Sequence, residues 1–371
     1  MRTLSGRIVL PDGAIVAGRL NFDAAISSIE PSATSSSDYI LPGFVDLQVN
    51  GSHGLDVMTA SAGQLIEIAQ ALAREGTTAW LPTAITSPIE HIEKVHRAIA
   101  EAITLQQRDN SSGARILGMH LEGPFLSPMR LGVHPKLNLE PRGEAFERVM
   151  ALEHLKLVTL APELPGALDA IRRLVARDVV VSIGHTNATF EEAAAGIAAG
   201  ARMFTHLFNA MRPLNHRDPG VIAAALTSES SMPAVIPDGV HLAPEILRLI
   251  YMTRGAGRMI LTTDKVSIAG TAAGTTMTMG KAEARAREGA ARLQDGTLAG
   301  SIISMLEGAR IMVGSVGAGV GEVALMAATN GATLIGDAGS GQLQPGAISD
   351  IIVLSDALEL KAVFLAGRER N

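Results

Sequence analysis

Four apolar runs of strand length in this chain each stop at a residue able to hold a metal or carry a proton. ARILGMHL leads into Glu122, DVVVSIG into His185, ARMFT into His206 and RMILTT into Asp264. One such run would mean little. Four in succession call for parallel strands that deliver their ends to a single face. A (β/α)8 barrel has that geometry, with its active site at the C-terminal ends of the strands.

The segments between these runs fit a barrel. GQLIEIAQALAREG places Leu65, Ile66, Ile68, Ala69, Leu72 and Ala73 at helical spacing and stops at Gly76. TTAWLPTAI reads as a buried strand, and PIEHIEKVHRAIAEAI as a helix opening near Pro88. After Glu122 an irregular loop runs to about Pro141. A helix, the strand LKLVTLAP, a helix around Ala167 to Arg177 and the Ala-rich helix FEEAAAGIAAG follow in turn. The strand PAVIP precedes Asp238, and the helix PEILRLIYMTR leads to the run before Asp264. With FVDLQV near the start, the pattern predicts eight strands alternating with helices, hence a parallel sheet closed as a TIM-like barrel. VGSVGAGVGE lacks the GxGxxG spacing and reads as a loop or cap.

The two chain ends differ from the middle. RIVLPDGAIVAGRLNF reads as a hairpin around Pro11, Asp12 and Gly13, and GAISDIIVLSDALELKAVFLAGRER alternates β-type runs with turns. A lone hairpin is marginal in water. The expectation is that residues 1–40 and 340–371 pair into one small β-sandwich domain beside a barrel of residues 41–339.

Composition narrows the chemistry. The chain is 47% hydrophobic but only 3% aromatic, so its core is built from Ala, Val, Ile, Leu and Met. A net charge of −6, with no Lys/Arg run longer than two, argues against a nucleic-acid partner. The absence of cysteine excludes disulfides and thiolate metal sites, which leaves His and carboxylate as ligands. No apolar run reaches membrane-spanning length and the first residues lack a signal-type core, so the expected location is the cytoplasm, away from membranes.

Each chemical residue has a plain alternative. Glu122, in HLEGPF, is either a carboxylate ligand at a strand end or a surface acid capping its neighbour. His185 and His206 stand 21 residues apart with a helix between them. That is one barrel step, which brings two imidazoles to one ion, and two His with one carboxylate is a catalytic zinc arrangement. Asp264 is either a general base or a partner of Lys265. His241 follows the Asp238-Gly239 turn, and His134 lies in the loop after Glu122. Arg217 is either a solvated loop cation or a phosphate clamp at the barrel mouth. His120 points the same way as Glu122 and either supports it or packs in the barrel. His91 and His96 read as surface residues of an outer helix, and His154 sits at the wrong end of its strand for chemistry.

LPGFVDLQVNG, GMHLEGPF, SIGHTNAT, THLFNAM, DPG, PDGVH, LTTD and LAGS occur in that order. Together they resemble the N-acetylglucosamine-6-phosphate deacetylase family of the amidohydrolase superfamily, from about Ile40 to the C-terminus. The resemblance implies metal-dependent hydrolysis of the acetamide of N-acetylglucosamine 6-phosphate, with Glu122, His185 and His206 as metal ligands. It implies that Asp264 is the catalytic acid/base and that His134 contacts the acetamide oxygen. It assigns Asn209, Ala210, Arg217 and His241 to the sugar phosphate, and implies a homodimer in which Arg217 reaches the neighbouring site. A galacto-configured substrate, another N-acylated small molecule or a non-catalytic sugar-phosphate-binding role stay open beside it.

Two departures matter. Many amidohydrolases carry His-x-His after the first strand, where this chain has Gln48-Val49-Asn50. Neutral amides coordinate weakly, so the expectation is one divalent ion, preferably Zn2+. The second is Lys265 after Asp264, where the family has small residues. Its ammonium either lowers the Asp264 pKa or points outward.

Overall fold

The computed structural model describes residues 1–108, 113–137, 139–272, 274–279 and 282–370. Eight parallel strands pair in chain order: Phe44–Val49, Thr77–Ile85, Met119–Glu122, Leu155–Leu160, Val180–Ile183, Met203–Phe204, Met232–Val235 and Ile260–Leu261. They form the expected barrel, with helices between them. The first helix, Ala62–Arg74, starts at a capping box between Ser61 and Gln64 and buries Leu65, Ile68, Ala69, Leu72 and Ala73. No helix among the described residues is long and apolar enough to cross a membrane.

The seam between strands eight and one is closed in a different way from the rest. Asn50 N donates to Lys265 O at 2.7 Å, and Val49 and Lys265 form an isolated parallel bridge. Beneath them the buried Asp46 carboxylate accepts from Thr262 Oγ1 at 2.8 Å, from Thr263 Oγ1 at 2.5 Å and from Thr263 N at 3.2 Å. Burial pushes the Asp46 carboxyl up, against the pull of these donors. One acidic side chain on strand one thus fixes the height of the segment that carries Asp264.

Strand alternation sorts the interior into layers. Val45, Leu47, Ala79, Leu81, Leu157, Met203, Ala234 and Ile260 form an apolar cluster, which Ala328, Ala332, Leu334 and Ile335 floor from the C-terminal helices. Two residues further along their strands come Thr83, Thr159 and Thr205, which make a polar layer with His120 and Ser182. His120 Nε2 and Thr159 Oγ1 lie 2.8 Å apart, Thr159 and Thr205 2.7 Å, and Ser182 and Thr205 2.6 Å. Burial pushes His120 down to about 4, so its imidazole is neutral. His120 therefore packs in the barrel and supports the layer directly below Glu122.

Strands from both chain ends share one seven-stranded sheet. Its order runs Arg368–Arg370, Leu360–Leu365, Ile351–Leu354, Tyr39–Pro42, Arg2–Val9, Ile15–Phe22, Ile26–Pro31. Phe22 meets Phe364 edge-on at 5.3 Å, and Arg115 pairs with the buried Asp350 at 2.7 Å to tie this sheet to the barrel. The two ends were expected to pair as a small β-sandwich; they share this one sheet, and its strand Tyr39–Pro42 runs past the expected boundary at residue 40.

A second sheet is not anticipated by the sequence reading. Thr276–Met279, Ala282–Arg287, Ala290–Leu293 and Leu298–Ser301 form a four-stranded antiparallel meander after strand eight. Its longest strand, Ala282–Arg287, alternates Ala with charge, and Ala is a poor strand former, so the signal is weak. The last strand returns to the barrel mouth. Ser301 N donates to Asp264 O at 3.0 Å, and Val266 N to Ser301 O at 3.1 Å.

Candidate metal centre

Three donor atoms converge at the C-terminal end of the barrel. Glu122 Oε1 lies 3.0 Å from His206 Nε2 and 3.1 Å from His185 Nε2, and the two imidazole nitrogens are 3.2 Å apart. Metal–ligand bonds of about 2.0–2.1 Å in a tetrahedron put neighbouring donors roughly 3.3 Å apart. The triangle therefore fits one ion held by two nitrogens and one carboxylate oxygen, and all three residues are buried. His185 Nδ1 lies 2.9 Å from Arg130 O, an acceptor only, so that nitrogen carries the proton and Nε2 keeps its lone pair for a metal. His206 Nδ1 is buried without a partner, so its ring is oriented by packing against His185 at 4.9 Å. Burial opposes charge on Glu122, but the surrounding His185, His206 and His134 outweigh it and hold this carboxyl well below the usual range. The same contact raises His206 against its burial.

Backbone geometry turns these side chains inward. His185, His206 and Asp264 have φ of +46°, +30° and +50°. Left-handed backbone at non-glycine residues costs on the order of 1–3 kcal/mol each and gathers where function over-determines the structure. An extended strand would aim each of these residues along the barrel wall.

Asp264 stands beside the triangle. Its Oδ1 accepts from Asn50 Nδ2 at 2.6 Å and from Gln48 Nε2 at 3.0 Å. Two amides occupy one carboxylate oxygen, and among the described residues the other accepts no hydrogen bond. Burial, followed by the Glu122 charge, pushes Asp264 up to about 7, where a carboxyl exchanges a proton readily near neutral pH. Gln48 and Asn50 thus have a role that weak metal ligation did not suggest.

Lys265 does not join this group. Its buried ammonium turns to the outer wall and pairs with Glu75 at the end of the first helix. The Lys265 side chain is 2% exposed and that of Glu75 25%. Removing Glu75 strands a buried charge, whereas removing Lys265 leaves a carboxylate that water still reaches. Glu75→Ala is expected to lower unfolding free energy by about 3 kcal/mol, and Lys265→Met by far less. Urea unfolding of both variants checks this; equal losses would contradict it.

The remaining residues divide. His134, 7% exposed, places Nδ1 2.9 Å from Thr86 Oγ1 and Nε2 3.9 Å from Glu122 Oε2. Burial and the neighbouring His185 push His134 down to about 3, so it is neutral. His241 Nδ1 lies 2.6 Å from Asp238 Oδ2, which leaves Nε2 facing the cavity. Asp238, read only as a turn residue, is the partner that aims it. Asn209 and Ala210 line the same cavity of about 340 Å³, with Ala210 at φ +50°. Arg217 does not line it: it is exposed, with Nε 3.1 Å from His216 Nε2. His91, expected at the surface, is half-buried and its Nε2 donates to Met58 O at 2.9 Å.

Arg130 and the segment Thr297–Gly300 also line the cavity and were missed. Arg130 Nε donates to Asn187 Oδ1 at 3.0 Å. A cation four residues from His134 was the only available signal for the first. The second depends on the unanticipated meander.

Known proteins resemble this chain along nearly its whole length. Residues 39–370 match the model of the amidohydrolase family. An N-acetylgalactosamine-6-phosphate deacetylase of Escherichia coli O157:H7 is 34% identical, covering 93% of this chain and 92% of its own length. An N-acetylglucosamine-6-phosphate deacetylase of Bacillus subtilis is 36% identical over 88% of this chain and 83% of its own. The structure of an Asp-to-Ala variant of N-acetyl-D-glucosamine-6-phosphate deacetylase from Mycobacterium smegmatis, in complex with N-acetyl-D-glucosamine 6-phosphate, superposes with a TM-score of 0.90. It is 30% identical and covers 99% of this chain and 98% of that one. With a matched barrel, a Glu/His/His triangle and relatives of this similarity along nearly the whole length, the chain belongs to the N-acetylglucosamine-6-phosphate deacetylase family of the amidohydrolases.

Proposed function

We propose that this protein hydrolyses the acetamide of N-acetylglucosamine 6-phosphate to glucosamine 6-phosphate and acetate. The observation that carries the reading is the Glu122–His185–His206 triangle with the Asp264 carboxylate beside it, one oxygen of which is held by Gln48 and Asn50. Those three residues would hold one divalent ion, zinc by the nature of the donor set, which would supply Lewis acidity toward the carbonyl when bound. Asp264 Oδ2 takes a proton from the attacking water and returns it to the departing amine, while Gln48 and Asn50 hold the other oxygen still. Thr86 Oγ1 donates to Glu122 O at 3.4 Å and lies 2.9 Å from His134 Nδ1, so the hydroxyl ties the imidazole to the end of the strand that carries Glu122. His134 Nε2 faces the place of the oxygen of the tetrahedral adduct, where a donor is worth about 3–4 kcal/mol in other enzymes.

The sugar phosphate lies toward Asn209, Ala210 and His241, at the ends of strands six and seven, with Arg130 as a cation from the same chain. Arg217, exposed and outside its own chain's cavity, suits a homodimer in which it reaches the neighbouring site. The cytoplasm is the compartment for such a substrate. A galacto-configured substrate is the second reading, favoured by the Escherichia coli relative. Acetate release from the two N-acetylhexosamine 6-phosphates, with and without chelator, tests both. The gluco substrate is expected to be hydrolysed and chelation to stop it; chelator-insensitive release, or none from either sugar, would refute the proposal.

A further inference from the structure

A second cavity, about 1160 Å³, lies behind the wall of the metal site. Ile85 and Val133 line both spaces and form the partition between them. Beyond it the walls include Met58, Ile268 and Met277, which belong to one apolar cluster with Ile85 and Val133. Thr86 also reaches this cavity, and its hydroxyl is engaged by His134.

The barrel fixes where this space lies relative to substrate. Ile85 ends strand two, and in an eight-stranded ring strand two stands across from strand six. Strand six leads into His206, Asn209 and Ala210. In the function proposed above, on which this inference rests, the sugar phosphate lies on that side and the amide carbonyl over the Glu122–His185–His206 triangle. The two other substituents of a carbonyl carbon point away from each other. If nitrogen faces strands six and seven, the acyl carbon faces strand two, Ile85 and the Met58, Ile268 and Met277 side of that cavity, whose far walls also carry Asp56, His91 and Lys136. Acetyl ends at the partition.

We propose that the site accepts N-acyl groups longer than acetyl, with the chain passing Ile85 and Val133 into this cavity. The reaction is unchanged in kind. Water oxygen bonds to the carbonyl carbon, the carbon–nitrogen bond breaks, the amine takes the proton that Asp264 carries, and the longer carboxylate leaves. Methionine walls adapt to chains of different length. Each methylene taken out of water contributes up to roughly four-fold to binding, whereas a pocket closed behind the acetyl methyl would reject each added methylene by roughly ten-fold or more.

The test is kcat/KM for N-acetyl-, N-butanoyl- and N-hexanoyl-glucosamine 6-phosphate on the metal-loaded enzyme and on Met58→Trp and Met277→Trp, which fill the cavity. The hexanoyl value is expected to stay within roughly ten-fold of the acetyl value in the wild type. Either tryptophan is expected to remove the hexanoyl activity at least roughly ten-fold while acetyl hydrolysis persists and reports a folded enzyme. A larger wild-type drop from acetyl to hexanoyl overturns the inference. So does hexanoyl hydrolysis that survives in both variants. If both variants lose acetyl hydrolysis as well, the wild-type series alone decides. Failure of the wild type on the acetyl substrate is a separate result, since it refutes the underlying function.

Discussion

Asp264→Asn is expected to lower kcat by about 10²–10⁴-fold, the range a positioned acid/base contributes, with metal content unchanged. The substitution isolates proton transfer. Asp264 sits at φ +50°, a conformation that Asn tolerates nearly as well as Asp. The Asn carbonyl oxygen can still accept from Gln48 and Asn50, so the side chain keeps its place. What is lost is the group that burial and Glu122 poise near pH 7. Acetate release measured together with metal analysis checks the claim. Near-normal turnover in the variant would move the acid/base role to another residue.

His185→Asn is expected to empty the metal site. Asn again suits the backbone, here at φ +46°, and the shorter side chain no longer reaches the triangle. Losing a partner outside the ligand set already costs roughly 10–100-fold in affinity or activity, so loss of a ligand exceeds that. Wild-type protein is expected to hold one ion per chain, and chelation is expected to lower its Tm. A ligand at a hundred times its Kd stabilises by about 2.7 kcal/mol. Two ions per chain at full occupancy would contradict the one-ion reading and give Gln48 and Asn50 a ligand role. A variant that keeps its metal would remove His185 from the ligand set.

These two experiments concern residues that were legible before any coordinates. Glu122, His185, His206 and Asp264 each follow an apolar run, and apolar runs of strand length are a strong local signal. The helix of Ala62–Arg74 was equally plain, because its buried side recurs at helical spacing and its end carries a glycine. Other parts had no such signal. In the meander the longest strand, Ala282–Arg287, alternates Ala with charge, and the strands are held by the sheet they join more than by their own propensity. It nevertheless supplies Thr297–Gly300 to the cavity and hydrogen-bonds the Asp264 backbone.

Partnership was the least legible property. Gln48 and Asn50 looked like lost metal ligands, yet they donate to Asp264, more than 210 residues away along the chain. Lys265 looked like a disturbance beside the catalytic carboxylate. Alternation along the chain sends its ammonium to the outer wall, where Glu75 meets it. Asp238 looked like a turn former and proves to orient His241.

The sequence by itself determined the barrel strands, their order and the kinds of atoms at their ends, because periodicity and residue chemistry are local properties. Only the tertiary structure decided which of those atoms face one another. Closing the barrel brings strand one against strand eight and turns three residues into left-handed backbone. Those distances of about 3 Å between donors arise from contacts across the ring, which no local pattern encodes.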